Sequence, residues 1–210
     1  MSKPDKRDEI VRVALEMIAE QGFHGAPMAE LARRAGVGAG TIYRYFANKD
    51  VLITELYREI EARIWPALLE EYRAEQPVRR RFLHLGAALL EYFIAHPLDF
   101  RYLEQFHNSP YGVEKRRAKL LGQPGEEDVF RELFLSGIAT GQLKDLPLPL
   151  LFALAFGPLL AAARDHILGL VALDEKLIDR TIAACWDAVA AGASDPAGSN
   201  MNLAPPPIRQ

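Results

Sequence analysis

Apolar residues recur every three or four positions along most of the chain, which is the spacing of one face of an α-helix. The first such run covers residues 5–20 and ends before Gly22, a residue suited to a helix C-terminus. Its apolar face consists of Ile10, Val13, Ala14, Met17 and Ile18. The chain shows no convincing apolar–polar alternation of a half-buried strand. The pattern therefore predicts an all-α protein of about nine helices.

The other predicted helices are separated by short polar or proline-containing segments. They cover residues 27–35, 40–46, 49–72, 78–95, 98–106, 126–140, 148–168 and 174–190. Asn48 can cap the helix that follows it, and Pro66 within that helix predicts a kink or break near Trp65. Residues 108–112 have the composition of a turn, and the residues from Gly192 onward have that of a flexible tail.

Three glycines, Gly36, Gly38 and Gly40, fall in the segment GVGAGTIYRYFANKD. Such a run can serve a phosphate-bearing cofactor or a turn between helices. A dinucleotide fingerprint needs the spacing G-x-G-x-x-G directly after a buried strand, whereas these glycines follow the amphipathic helix MAELARRA. The Gly-Lys-Ser/Thr end of a phosphate-binding loop is also missing. The sequence therefore predicts no cofactor and favours a tight turn.

Two short helices that meet at a tight turn form a helix-turn-helix motif, whose second helix enters the major groove of DNA. Ile42 and Phe46 would anchor this second helix to the domain core. The outward-facing residues that suit bases or phosphates are Thr41, Tyr43, Arg44 and Tyr45. Arg44 in particular can make a bidentate contact with a guanine edge. The alternative is that these side chains are ordinary packing and solvated residues.

Charge supports the DNA-binding interpretation locally, although the formal net charge of the chain is −3. The window from Leu31 to Lys49 contains four basic residues and no acidic one. These residues are Arg33, Arg34, Arg44 and Lys49. Lys49 also stands at the N-terminus of the next predicted helix, where a phosphate is favoured.

The segment GVGAGTIYRYFANKDVL resembles the signature of the TetR family of one-component transcriptional regulators. The resemblance implies an all-helical homodimer with an N-terminal three-helix DNA-binding domain and a C-terminal domain that binds a small ligand and dimerises. The family's DNA contacts carry over to Thr41, Tyr43, Arg44, Tyr45 and Lys49, with Gly40 allowing close approach to the backbone.

Two departures from the family pattern remove phosphate contacts. Gly38 and Ala39 stand where a serine and a basic residue are common, and Pro27 stands where a threonine is common. We therefore expect either a modest operator affinity or operator binding that relies more on Arg33, Arg34 and Lys49.

The resemblance and the helix pattern together predict four segments. Residues 1–48 would form the DNA-binding domain, residues 49–74 a linking helix, residues 75–191 the ligand-binding and dimerisation domain, and residues 192–210 a flexible tail.

Aromatic residues are concentrated in the predicted C-terminal domain, where most would form core and a subset would line an apolar cavity between helices. The candidate pocket residues are Trp65, Phe82, Leu89, Phe93, Phe100, Tyr102, Phe106, His107, Phe130, Phe134 and Phe156. This composition favours a small hydrophobic or aromatic effector over a sugar or a nucleotide.

Residues 148–168 are apolar on nearly every side, so a single chain's core could cover only part of this helix. A membrane span is the alternative, but Pro147, Pro149 and Pro158 disfavour it. We expect this helix and the last one to form a homodimer interface, as in the family. The candidate interface residues are Ala155, Leu159, Ala162, Ala163, His166, Ile178, Ile182 and Trp186.

Other features narrow the function. A single cysteine, Cys185, and a charged N-terminus without a signal-peptide run fit a cytoplasmic protein. His84, His96 and His107 have no metal-site spacing, and no catalytic motif is present, so neither a metal nor an enzymatic activity is expected. The sequence thus predicts a ligand-responsive repressor of a pseudopalindromic operator. The rivals are an effector-independent DNA-binding regulator and a helical enzyme.

Overall fold

The computed structural model describes residues 5–121 and 128–192, without the side chains of residues 118–121, and its regular elements are all helices. The ten helices in these ranges are α1 Lys6–Gln21, α2 Met28–Arg34, α3 Ala39–Tyr45, α4 Lys49–Leu69, α5 Val78–Ala95, α6 Pro97–His107, α7 Pro110–Leu121, α8 Val129–Ala139, α9 Leu148–Ile167 and α10 Glu175–Val189. The prediction of an all-α fold is confirmed. The predicted tail beyond Gly192 lies outside the described residues.

Helix ends follow the local chemistry of the sequence. Gly22 ends α1 with φ at 71°, a left-handed conformation that glycine adopts without steric cost. The Asn48 side chain begins α4 by accepting a hydrogen bond of 2.9 Å from the Val51 amide. Asp128 and Asp174 cap α8 and α10 in the same way.

Two elements differ from the prediction. Pro110 does not close a turn but begins α7, since proline is well suited to the first helical position. The turn before it is therefore limited to Asn108 and Ser109. Pro66 does not end α4, which continues to Leu69, so the predicted break is absent.

The first three helices enclose a small core of their own. Ile10, Ala14, Leu31, Ile42 and Phe46 are at most 1% exposed, and they bring α1, α2 and α3 together. In the second part of the chain, α5, α8, α9 and α10 pack on one another, and α6 packs on α1. The helix α4 leads from the first group of helices to the second.

A polar network joins α4, α5 and α6. The Arg63 guanidinium lies 2.8 Å from an oxygen of the buried Asp99 carboxylate. The Tyr92 hydroxyl donates to the same carboxylate at 2.6 Å. Because a buried carboxylate is costly without partners, these bonds fix the start of α6 beside the C-terminal half of α4.

Candidate DNA-binding interface and effector site

The turn between α2 and α3 sets the direction of the recognition helix. Gly36 has φ at 63°, and the Val37 amide donates to the Ala32 carbonyl at 2.9 Å. The chain then enters α3, and both Ile42 of this helix and Phe46 directly after it are buried in the domain core. This arrangement leaves the opposite side of α3 in solvent, as a helix-turn-helix motif requires.

The exposed side of α3 carries the residues predicted to contact DNA. Tyr43 is 52% exposed, Arg44 is exposed, and Thr41 and Tyr45 are half-buried. The Arg44 guanidinium lies over the Tyr45 ring, 5.2 Å from its centroid. Stacking of this kind holds the arginine side chain along the helix while its N–H groups remain able to donate.

Gly38 and Gly40 leave bare backbone on the same surface. Both are exposed, and a Cβ atom added to either would meet no protein atom within 4 Å. Gly38 has φ at −70°, which any residue can adopt. The protein's own packing therefore does not require glycine at these positions, and the open space is available to a bound molecule.

The basic residues near the motif already have partners within the protein. Arg33 and Arg34 both bond to the carboxylate of Glu30, at 2.6 and 3.0 Å. The Lys49 ammonium donates to the Phe23 carbonyl, and burial lowers the pKa of Lys49. A DNA phosphate would have to compete with these contacts. Glu30 was missed because it lies one residue outside the basic window.

Seven aromatic side chains meet in the second group of helices and form what we term the C-terminal aromatic cluster. They are Trp65, Phe82, Phe130, Phe134, Phe152, Phe156 and Trp186. Ring centroids are 4.8 Å apart for Phe134 and Phe152, and 5.0 Å apart for Phe130 and Phe156. The cluster contains five of the predicted pocket residues, together with Phe152 and Trp186, which were not assigned to a pocket.

The remaining predicted pocket residues lie elsewhere. Phe93 and Phe100 contact each other at the α5–α6 corner, and Leu89 is half-buried on α5. Three others, Tyr102, Phe106 and His107, belong to a second group that we term the junction cluster. Its members are Phe23, Tyr57, Tyr102, Phe106, His107 and Tyr111. The structure therefore does not bring the predicted residues into one pocket, because α6 packs on α1.

The junction cluster connects the helix-turn-helix domain to α6 and α7. Tyr57 of α4 stacks on Phe106 of α6 with centroids 4.0 Å apart. The Tyr102 hydroxyl donates to the Ile53 carbonyl at 2.6 Å, and the Tyr111 hydroxyl bonds to Asp50. Burial raises the pKa of Tyr57 and Tyr102, so both phenols stay protonated.

Most of the residues predicted for a dimer interface are instead packed inside a single chain. Six of them are at most 7% exposed: Ala155, Leu159, Ala163, Ile178, Ile182 and Trp186. Ala162 and His166 are half-buried, and His166 accepts a hydrogen bond from the Leu173 amide. The prediction chose the inward faces of α9 and α10. The sequence of α9 is apolar on nearly every side and does not reveal which side its own chain covers, whereas the apolar face of the amphipathic α10 packs within the chain.

The outward face of α9 remains apolar and exposed. Leu150 is 52% exposed and Leu154 is 41% exposed, and Ala153, Gly157 and Pro158 extend the same surface. A groove of about 380 Å³ follows between α9 and α10, lined by Pro158, Leu177, Arg180, Thr181, Ala184 and Cys185. By length and composition α9 could also cross a membrane, with 22% of its most apolar stretch buried in the chain.

Comparisons with known proteins match this architecture. Residues 10–56 match the family of bacterial regulatory proteins called tetR, and residues 77–190 match a tetracyclin repressor-like C-terminal domain. The Fatty acid metabolism regulator protein of Bacillus subtilis is 25% identical over 145 residues, which span 68% of this chain and 73% of that protein. The transcriptional regulator BetI of Klebsiella pneumoniae is 36% identical over 72 residues, but these span only 34% of this chain and 37% of BetI.

A solved structure extends the similarity to nearly the whole chain. A TetR family protein from Vibrio parahaemolyticus is 32% identical and superimposes with a TM-score of 0.69, covering 89% of this chain and 99% of that one. Its coverage includes both domains, and the two family matches together account for most of the helices described above. The chain therefore belongs to the TetR family of bacterial transcriptional regulators.

Proposed function

We propose that this DNA-binding regulator is a cytoplasmic repressor that leaves a pseudopalindromic operator when a small hydrophobic or aromatic effector binds. The observation that supports this proposal best is the exposed side of α3, where Tyr43 and Arg44 stand beside the bare backbone of Gly38 and Gly40. That surface has no role in packing the domain, and its chemistry suits a DNA groove.

On DNA, α3 would lie in the major groove with its N-terminal residues toward the bases. Arg44 would turn from the Tyr45 ring toward a guanine edge, while Tyr43 and Thr41 would contact phosphate oxygens or a thymine methyl. Gly40 would let the DNA backbone approach closely. The arginines at the end of α2, Arg33 and Arg34, would face the neighbouring phosphates.

A pseudopalindromic operator requires two copies of the chain. We propose that the outward faces of α9 and α10 pair with the same faces of a second copy and form a four-helix interface. Leu150, Leu154 and Pro158 support this assignment, because an apolar surface of this kind is normally covered in a soluble protein. The interface would hold two α3 helices about 34–36 Å apart, in successive major grooves.

The proposed effector site is the C-terminal aromatic cluster. Trp65, Phe130 and Phe156 are only half-buried, so they form the accessible side of the cluster. An apolar ligand that separates these rings would replace contacts between the rings with contacts between the rings and the ligand. Because a similar protein of Bacillus subtilis is a fatty acid metabolism regulator, fatty acids are the first effectors to test.

Effector binding would act by shifting the population of two dimer states. The ligand would favour a state in which α4 tilts and the spacing of the α3 helices no longer fits the operator. Moving such an equilibrium from 99:1 to 1:99 requires about 5.5 kcal/mol of differential binding.

A regulator without a small-molecule effector is the second candidate. It is favoured by the close ring contacts of the C-terminal aromatic cluster, which fills its own space. A screen in which no hydrophobic compound binds this cluster would support that candidate.

The test of DNA recognition is selection of bound sequences from random duplex DNA at a stated salt concentration. We expect an enriched inverted repeat whose half-sites are about one helical turn apart. A folded, dimeric protein that enriches no sequence would contradict the proposal. A single unpaired half-site would leave DNA reading intact but contradict the proposed dimer.

A further inference from the structure

Glu30 lies on the outward side of α2, together with the two arginines that precede the turn. Met28, Leu31 and Ala32 form the buried side of this helix. The opposite side therefore carries Glu30, with its carboxylate facing Arg33 and Arg34 one turn further along.

One carboxylate holds both guanidinium groups. Arg33 donates to the two Glu30 oxygens at 2.8 and 2.6 Å, and Arg34 donates to one of these oxygens at 3.0 Å. The hydrogen bonds from Arg33 and then from Arg34 lower the pKa of Glu30 to about 2. A lowered carboxyl pKa means that the ion pairs are lost only as the pH falls toward this value, so they persist at neutral pH.

These contacts change the charge that α2 presents. In a helix-turn-helix complex the first helix crosses the sugar–phosphate backbone, and affinity there depends on the number of phosphates that cations neutralise. Arg33 is 72% exposed, so it can reach a phosphate if it leaves Glu30. Lys49, a third cation of the motif, already bonds to the Phe23 carbonyl.

We propose that Glu30 limits the affinity of this protein for the DNA backbone by competing with phosphates for Arg33 and Arg34. This inference rests on the proposed mode of DNA binding through α2 and α3. Because phosphate contacts are independent of base sequence, Glu30 lowers the affinity for operator and non-operator DNA by a similar factor. It thus sets the strength of DNA binding without contacting a base.

The test is Glu30→Gln, measured by fluorescence anisotropy on a labelled duplex of fixed, non-operator sequence over a range of KCl concentrations. We expect roughly 3- to 10-fold tighter binding near 0.1 M salt, and a salt dependence steeper by up to about 4 in log–log slope for the dimer, since each protomer frees two arginines. With an operator from the selection experiment, Glu30→Gln should tighten binding by a similar factor, because phosphate contacts are made on both kinds of DNA.

Glu16→Gln is the matched control. Glu16 also pairs with an arginine of the same domain, Arg12 at 2.6 Å, but on α1. This variant should bind like the wild type. In an Arg33→Ala/Arg34→Ala background, Glu30→Gln should have no further effect, because the groups it frees are gone.

The outcomes separate the inference from the proposed function. If Glu30→Gln binds as the wild type does, or more weakly, Glu30 does not compete with phosphates and the inference is wrong. An equal gain from Glu16→Gln would also contradict it, since the effect would then reflect net charge alone. If neither the wild type nor the variant binds any duplex at low salt, the proposed DNA-binding function itself fails.

Discussion

At the scale of single residues, the three glycines near the turn do different things. Gly36 has a left-handed φ of 63°, which a residue with a Cβ adopts at a cost of about 1–2 kcal/mol. Gly40 lies within α3 with ordinary helical geometry and open space around it. The fold therefore requires glycine at position 36 and not at position 40.

This difference gives a paired prediction. Gly36→Ala should lower the free energy of unfolding by about 1–2 kcal/mol, because its backbone conformation becomes strained. Gly40→Ala should leave that free energy unchanged or raise it by up to about 1 kcal/mol, since alanine favours a helix. Urea unfolding of both variants checks the two values.

The variant Gly40→Ala also tests how closely DNA approaches α3. Gly40→Ala should weaken operator binding roughly tenfold despite its unimpaired stability, because the added methyl group occupies space that the DNA backbone needs. Operator affinity equal to that of the wild type would show that DNA does not come close to this residue.

At the scale of helices, α9 has two apolar faces with different roles. One face, containing Leu151, Ala155 and Leu159, packs inside the chain, while Leu150 and Leu154 lie on the other and remain exposed. The exposed face needs a partner surface if the protein is to stay soluble at high concentration.

Leu154→Glu should therefore convert the proposed dimer into a monomer. A carboxylate in an apolar interface loses its hydration without gaining a partner, and we expect the dimer dissociation constant to rise at least roughly 100-fold. Sedimentation analysis measures this change. Leu135→Glu on α8 is the control, because Leu135 is also 41% exposed but lies outside this face.

The comparison of predicted and observed helices shows what periodicity can and cannot determine. Nine helices follow from apolar spacing and caps, whereas α7 was missed because Pro110 has the same sequence signal at a turn and at a helix start. The spacing of α9 gave its length but not its inward side, since nearly all its residues are apolar.

The sites were predictable to different degrees for a related reason. The residues of α3 follow from a local motif, so Tyr43 and Arg44 could be named from the sequence. The aromatic residues could not be assigned to one site without knowing which helices contact each other. Only the fold shows that Phe134 belongs to the C-terminal aromatic cluster and Phe106 to the junction cluster. The ion pairs of Glu30 could have been predicted from the sequence, because acidic and basic residues three and four positions apart pair on a helix.

At the scale of the whole molecule, both tryptophans report on the proposed effector site. Trp65 lies 5.9 Å from Phe130 and Trp186 lies 5.4 Å from Phe82, measured between ring centroids. These are the two tryptophans of the chain. Intrinsic fluorescence is therefore a direct probe of the C-terminal aromatic cluster.

We expect an effector to change the tryptophan emission and to weaken operator binding. Linkage requires that operator DNA weaken effector binding by the same factor, so titrations with and without DNA should agree. Trp65→Phe leaves Trp186 as the sole reporter and shows on which side the ligand enters. A compound that releases the operator without altering the emission would place the effector site elsewhere.

The length of α4 determines how far one of its ends moves when the helix tilts. Lys49 at its N-terminus bonds to the Phe23 carbonyl, and Arg63 in its C-terminal half bonds to Asp99 of α6, so α4 is attached to the rest of the protein at two separate points. With 21 residues it is about 31 Å long, so a tilt of about 10° at one end displaces the other by about 5 Å. In the proposed mechanism, α4 would therefore convert a small rearrangement among the aromatic rings into a displacement comparable to half the width of the major groove.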